Sequence, residues 1–398
     1  MARPVHEESV SPMTNACQLC GSARVRVVYE TRAPLFWVVA DRSLTDRFAD
    51  IQLHQCDVCG HVFNPSLSAE MITEIYRRQT VTNRPVSDAM FARYDTLIDF
   101  LGRERLIGKR ILEVGGGTGS LARLLAEVGA DVTVVEPNDE LPVLLGDAAD
   151  RIRIVNDFFG PGTLDETFDG VICRQVVEHI ADVRPFVGAL GAAVGPGGFA
   201  YVEVPTLEFI AASGAYMEIH VQHLHYLDAA ARQRLLAGAG LVVTATHDIL
   251  DGHDVGLLAV PGVAQVGIDN SVPSKIDHVI ERREAHRNVL AAFEGDPRRT
   301  AVYGATSQGV TFYNLFPIGK APTRFLDDNP DYRGRLTYGA GGVAAIVPRS
   351  RETLDGIDHV FIGAYHHEPA IVANLMRDRF QGAIWSTNPN HPTVIRVA

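Results

Sequence analysis

The stretch "RILEVGGGTGSLARLLAEVG", Arg110 to Gly129, constrains the fold of this chain more than any other. An apolar run enters a turn with glycine at positions 115, 116, 117 and 119, and a helix-period pattern leaves it. Such a turn needs backbone conformations that only glycine adopts freely, and it brings backbone N–H groups to a helix start where a ligand can approach. The pattern then repeats. "DVTVVEP", "RIRIVND", "FDGVICR" and "FAYVEVP" read as further strands, with "SLARLLAEVG" and "VRPFVGALGAAV" as helices between them. This alternation is the sequence form of an α/β doubly wound parallel sheet.

The strand–turn–helix pattern restarts near the C-terminus. After the polar helix "SKIDHVIERREAHRNVLAAFEG", the segments "RTAVYGATSQGVTFYNLF", "TRFLDDNP" and "DHVFIGAYH" predict a second α/β domain of Rossmann type. With 398 residues, more than one domain is expected. The expected division is a cysteine-bearing block at 1–80, a nucleotide-binding block at 81–285 and the C-terminal block at 286–398.

"CQLC" and "CDVC" place Cys17, Cys20, Cys56 and Cys59 in two C-x₂-C knuckles, each followed by glycine. Four thiolates so spaced converge on one tetrahedral Zn²⁺ and leave it no open position, so a structural zinc is expected, with buried free thiols as the alternative. Cys173 sits in a predicted strand and reads as core. Paired cysteines of this kind do not form a secreted disulfide framework. No apolar run reaches the ~18 to 20 residues of a membrane span, and no apolar signal core opens the chain. The expectation is a cytoplasmic protein with no membrane partner, its first residues disordered. A net charge of −12 argues against nucleic acid as partner.

Within the second block, Glu113, Gly115, Gly117 and Gly119 form E-x-G-x-G-x-G. Glu136 closes the next strand, where an acid meets the ribose hydroxyls of a bound nucleoside. Asp157 ends the third strand, at the place of an adenine amino group, with Phe158 available to stack. This combination resembles the class I S-adenosylmethionine (SAM) methyltransferases over about residues 109–250; a dehydrogenase-like fold with another ligand is the alternative. Gln175, Glu178 and His179 follow the fourth strand and fall at or near the chemistry, Gln175 beside the cofactor and Glu178 beside substrate. His179 has a structural reading as well.

The stretch "MEIHVQHLHYLD" clusters His220, His223 and His225 with no cysteine or carboxylate in a metal-ligand spacing. Taken alone it reads equally as a surface turn. Zinc knuckles, a glycine loop of this type, the histidine stretch and "VYGATSQG…FLDDNPDYRGRLTYGAG" occur here in one order. In that order they resemble the sugar C-methyltransferases of deoxysugar biosynthesis, which act on nucleotide-linked keto-sugars. The resemblance implies SAM as methyl donor and a small-molecule nucleotide-sugar as substrate, in antibiotic or other natural-product biosynthesis. It puts His223 on the family's base and Tyr226 on its aromatic. Two positions depart: His220 replaces the family's tyrosine and Gln222 its glutamate. The expected catalytic set is His223, assisted by His179, His220 and Gln222, with His225 structural and metal ligation by these histidines not expected.

Substrate contacts are expected from Tyr76 and Arg77, with Arg78 and Arg84 nearby, and from Glu178 and Tyr226. In the C-terminal block they are expected from Gly304, from Asp327 or Asp328, and from His366 with His367. Transfer to oxygen or nitrogen in the same fold is the alternative reaction, and a SAM-binding protein without transfer activity a lesser one. A monomer or weak homo-oligomer is expected.

Overall fold

The computed structural model describes residues 16–78, 84–85, 88–264, 275–316, 318, 324–339 and 342–398. The opening residues expected to be disordered, and most of the arm between Arg78 and Asp88, lie outside them. The first block holds strands β1 (Val25–Pro34), β2 (Phe48–Cys56) and β3 (Val62–Phe63), then helix α1 (Ala69–Arg78). The second begins with α2 (Asp88–Leu101) and runs β4 (Arg110–Val114), α3 (Ser120–Val128), β5 (Asp131–Val135), α4 (Leu141–Leu145) and β6 (Ile152–Val155). It continues with β7 (Phe168–Arg174), α5 (Val183–Ala193), β8 (Val194–Pro205), α6 (Leu207–Ser213), β9 (His225–Tyr226) and α7 (Ala229–Gly238). β10 (Leu241–Ile249) and β11 (Asp254–Pro261) close it, and α8 (Asp277–Leu290) leads out. The third block contributes β12 (Thr300–Tyr303), α9 (Ser307–Leu315), β13 (Arg324–Leu326), β14 (Leu336–Gly339) and β15 (Gly342–Val347). It ends with α10 (Arg351–Leu354), β16 (His359–Ile362), α11 (Glu368–Arg377), β17 (Ala383–Ser386) and β18 (Ile395–Arg396).

The central sheet has the order β10-β11-β8-β7-β4-β5-β6. β6, β5, β4, β7 and β8 are parallel, and β11 joins antiparallel to β8. Ile111, Leu112, Val132, Val134, Val171 and Ile172 are fully or almost fully buried, as strands covered on both faces must be. The chain reverses direction across the sheet between β4 and β7, which opens a crevice at their carboxyl ends. The C-terminal sheet repeats the architecture, with β15, β13, β12, β16 and β17 parallel and antiparallel edges at β14 and β18. Its switch lies between β12 and β16.

The three blocks interlock. The cysteine-bearing sheet, β1-β2-β3-β9, takes its last strand from residues 225–226, which pair with Phe63 and Val62. Val39 bridges to Leu336 of the third block. One hydrophobic core runs through all three: Trp37, Val38 and Ile51 pack with Tyr216, Val221 and Leu224 and with Phe312, Phe325 and Phe361. The division at 80 and 285 therefore cuts across a shared core. Phe312→Ala, deep in that core, should lower stability by about 3–5 kcal/mol. Urea unfolding followed by Trp37 fluorescence, in a Trp385→Phe background, and by far-ultraviolet circular dichroism should shift together. Separate transitions would refute a shared core.

Candidate active site

Three glycines shape the crevice. Gly115, Gly117 and Gly119 have φ of +77°, +55° and +74°, a region costly for any residue with a Cβ. A Cβ on Gly115 would stand 2.4 Å from Val176 Cγ2, in the loop after β7. The glycine loop and the β7 exit therefore close on each other only without a side chain at this point. Gln175 in that exit is itself left-handed, at φ +54°, its N–H bound to Glu203 O at 2.8 Å. Strain of this kind, held by the surrounding structure, concentrates at functional positions.

The acids around the loop are poised differently. Glu136 Oε2 accepts the Gly117 N–H at 2.8 Å and Oε1 accepts the Asn138 N–H at 3.0 Å, so the carboxylate braces the loop from beneath. Glu113 is buried, its Oε2 has no hydrogen-bond partner, and burial pushes its pKa up to about 8. A cationic group beside it would restore its charge. Asp157 is exposed at the rim, next to the half-buried Phe158. Arg77 lies over the Phe158 ring, its guanidinium carbon 5.8 Å from the centroid. Arg77 thus stands on the face expected to stack a base, on the cofactor side, where the sequence pattern pointed to substrate. Arg78 pairs with Asp41 and Glu74, and Arg84 with Asp331, so both are engaged within the protein.

The histidine stretch is no surface turn. Residues 214–227 are buried without a break, though only short helical and strand turns occur among them. A buried loop must place its backbone polar groups on protein partners. Here His179 Nδ1 donates to Gln222 O at 2.7 Å, Leu224 N–H to Glu178 O at 2.7 Å, and Asn64 N–H to Leu224 O at 2.8 Å. Asn64 Nδ2 donates to Val221 O at 3.2 Å.

These bonds fix the imidazoles. Because Gln222 O can only accept, His179 carries its proton on Nδ1 and turns a bare Nε2 away from it. The His179 and His223 ring centroids are 4.9 Å apart, those of His220 and His223 3.8 Å, and Tyr76 meets His179 edge-on at 5.6 Å. Burial lowers all three pKa values: His179 to about 4, His220 to about 3, and His223 well below the usual range, the last helped by its histidine neighbours. The cluster is a set of neutral imidazoles. Glu178 is 1% exposed, neither carboxylate oxygen has a hydrogen-bond partner, and burial pushes its pKa well up; Oε1 lies 3.7 Å from His179 Nε2.

Two expectations change here. Gln222 Nε2 donates to Leu35 O at 3.0 Å, which ties this side chain to the first block, where a role at the substrate was expected. A carboxylate does join the imidazoles after all: Glu178, His179 and His223 bring one ligand atom each to within 4.8 Å of one another. Sequence spacing does not show it, because Glu178 and His179 lie far from His223 along the chain. They meet only where the β7 exit folds over the buried loop.

Tyr226 OH donates to His220 O at 3.4 Å, and its ring meets His223 edge-on at 6.0 Å. His225 Nε2 donates to Ile180 O at 2.8 Å and its Nδ1 faces His61 Nε2 at 3.3 Å, the structural place expected for it. In the C-terminal block Gly304, at φ +105°, packs against Ala364, and Asp327 accepts the N–H groups of Ala305 and Asn329. His366 lies apart from His179 and His223, in a second cluster with Glu218 and His253 that the sequence did not announce. Cys17, Cys20, Cys56 and Cys59 gather into one knot, with Cys17 Sγ 3.5 Å from Cys59 Sγ and Cys20 Sγ 3.6 Å from Cys56 Sγ. Cys173 is buried in β7.

Strand order, glycine turn and acid-tipped second strand together define the class I SAM methyltransferase fold. Residues 87–246 match the profile of a family described as a methyltransferase domain, which makes this stretch a methyltransferase domain; the match covers less than half of the chain. A ubiquinone biosynthesis O-methyltransferase from Methylobacterium sp. (strain 4-46) is 37% identical over 106 residues, 25% of this chain and 42% of that protein. A mitochondrial one from Schizosaccharomyces pombe is 34% identical over 119 residues, 26% and 42% respectively. The chain spans less than half the length of these relatives. Among solved structures, magnesium protoporphyrin IX methyltransferase from Synechocystis PCC 6803 with bound SAH aligns at 16% identity and a TM-score of 0.37, over 46% of this chain and 91% of that one.

Gly115→Ala brings both a left-handed Cβ and a clash with Val176 into the loop. A left-handed non-glycine residue costs ~1–2 kcal/mol, which corresponds to about tenfold weaker SAM binding by calorimetry. Unchanged affinity would remove the loop from the cofactor site.

Proposed function

We propose that the chain is a SAM-dependent methyltransferase acting on a carbon next to the carbonyl of a nucleotide-linked keto-sugar. The observation that carries this reading is the pair of neutral imidazoles, a largely buried His179 in the β7 exit and a buried His223, beside the more exposed Tyr76. A carbon acid needs a base that is free of its proton at neutral pH; burial keeps His223 neutral, and its basicity recovers when the negative charge of the enolate develops beside it.

Gly115, Gly117, Glu136 and Asp157 would hold the adenosyl part of SAM, and the Glu113 carboxylate would face its cationic end. When bound, SAM supplies an electrophilic methyl group. The protein's part begins with His223, which takes the α-proton. His220 and Tyr76, which pack against His223 and His179, would supply the donor to the developing enolate oxygen. Taking the α-proton turns His223 into an imidazolium, whose positive charge balances the enolate formed beside it, and the proton leaves to solvent once the methyl group has been transferred and the site opens. The C-terminal block, with Gly304 and Asp327 at its switch point, is the proposed seat of the nucleotide. Zn²⁺ in the four-cysteine knot would be structural: sulfur separations of 3.5 and 3.6 Å suit four thiolates around one ion, and all four ligand positions are filled.

Transfer to oxygen is the second reading, favoured by the names of the curated relatives. A neutral His223 serves that reaction equally well, by deprotonating a hydroxyl. The two part on isotope exchange. Incubated in D₂O with a nucleotide-linked 4-keto-sugar and S-adenosylhomocysteine in place of SAM, the protein should exchange the hydrogen α to the carbonyl for deuterium, read in the recovered sugar by mass spectrometry. With SAM present, a methylated product whose α-carbon keeps its original hydrogen would favour oxygen. His223→Gln should cut kcat by roughly 10²–10⁴ with little change in SAM affinity.

The acid side of the pH profile follows from burial. Protonation of the imidazoles stops catalysis, and their folded pKa values lie below the ordinary 6.5. Turnover should therefore persist as pH falls through 6.5 and fail only well below it, as His223 takes up a proton. A midpoint near 6.5 would place the base on another, solvated residue.

A further inference from the structure

A second constellation lies where the central and C-terminal sheets meet, outside the methyl-transfer machinery. Glu218 comes from the helical turn Tyr216–Glu218, His253 from the entry to β11, and His366 from the turn after β16. Their ligand atoms all fall within 4.8 Å of one another. His253 Nε2 is 3.4 Å and His366 Nε2 4.0 Å from the same Glu218 oxygen, Oε1. Both nitrogens are buried, and neither makes a hydrogen bond.

The surroundings orient these three groups. His253 Nδ1 donates to Asp254 Oδ1 at 2.8 Å, and Arg93 holds the other oxygen of Asp254 at 2.8 Å. Nδ1–H is thereby fixed and Nε2 is aimed at Glu218. A carboxylate behind the imidazole is the outer-shell arrangement that metal-ligating histidines usually have. Tyr365 OH and Gln308 Nε2, both from the C-terminal block, donate to Glu218 Oε1. Phe209 covers both histidine rings, at 5.0 Å from His253 and 6.1 Å from His366.

Protons meet this geometry only loosely: a doubly protonated His253 and an Nε2–H tautomer of His366 would both face Glu218 Oε1, but at 3.4 and 4.0 Å neither makes a hydrogen bond, and both nitrogens stay buried without a partner. One divalent cation meets all three donors. We infer that Glu218, His253 and His366 form a cation site of the two-histidine, one-carboxylate type, suited to zinc and distinct from the four-cysteine knot. Three protein ligands leave at least one position for water or a substrate oxygen, as in zinc sites that do chemistry. The ion would also clamp the C-terminal block to the central one, since His366 is its ligand from across the junction.

Metal analysis of the purified full chain decides this. His366→Ala and Glu218→Gln should each lose about one equivalent of metal against the wild type, with SAM binding by calorimetry retained as the check of folding. Cys17→Ser should lose a different equivalent, additive with the first. Cobalt reconstitution separates the sites: thiolate-to-cobalt charge transfer in the near ultraviolet should vanish only with the cysteine variant, and His366→Ala should remove visible bands alone. Metal content and cobalt spectra unchanged in both His366→Ala and Glu218→Gln would overturn the site. Because the readout is metal content, a protein that transfers methyl to another acceptor, or to none, leaves the test intact.

Discussion

The structure depends on the burial of one irregular segment, residues 214–227. A loop without regular hydrogen bonding is expensive to bury, because every N–H and C=O must find a partner away from water. This one finds them on three sides: Asn64 and Leu35 from the cysteine-bearing block, Glu178 and His179 from the β7 exit, and the pairing of His225 and Tyr226 with β3. The same bonds that make burial tolerable set the tautomer of His179 and the orientation of the rings beside it. Burial then lowers the imidazole pKa values. Ring orientation, proton affinity and packing are here one physical fact.

That dependence gives the cysteine knot a reason. Cys56 ends β2 and Cys59 lies in the turn before β3, the strand on which His225 and Tyr226 pair. His61, between Cys59 and β3, faces Cys17 Sγ at 3.7 Å with Nδ1 and His225 with Nε2. From the knot to Ile180, behind the active-site exit, the path is therefore two imidazoles long. An ion among the four sulfurs would stiffen the floor on which the histidine segment rests without touching substrate.

The central fold was legible because its signals are local. Glycine at 115, 117 and 119, the acid at 136 and the paired cysteines each lie within a few residues of the turn or strand that needs them. The C-terminal sheet was legible for the same reason, from the strand–turn–helix of "YGATSQG". What sequence could not give is convergence over long separations. Glu218, His253 and His366 come from three elements in two blocks, and none sits in a recognisable spacing. Glu178 was placed near substrate by its position after β7, but its approach to His223 depends on how the buried loop folds back. The direction of a side chain is equally non-local: Gln222 lies next to the proposed base in sequence, yet its amide reaches the Leu35 carbonyl of another block.

The two histidine clusters share the buried segment and divide its faces. Glu218 meets Tyr365 and Gln308 of the C-terminal block, while His220 and His223, a few residues on, pack against each other and against Trp37 and His179. Burial works to raise the pKa of Glu218, but His253, His366 and the Tyr365 hydroxyl outweigh it and hold the carboxyl well below the usual range. Glu218 therefore remains ionised among its donors. Glu178 has no such donor, and burial acts on it unopposed by a cation, pushing its pKa well up. Two buried glutamates flanking one segment are thus pushed in opposite directions, decided by whether a partner is present. A net charge of −12 on the whole chain says nothing about either. Local desolvation and pairing decide in which direction each acid is pushed.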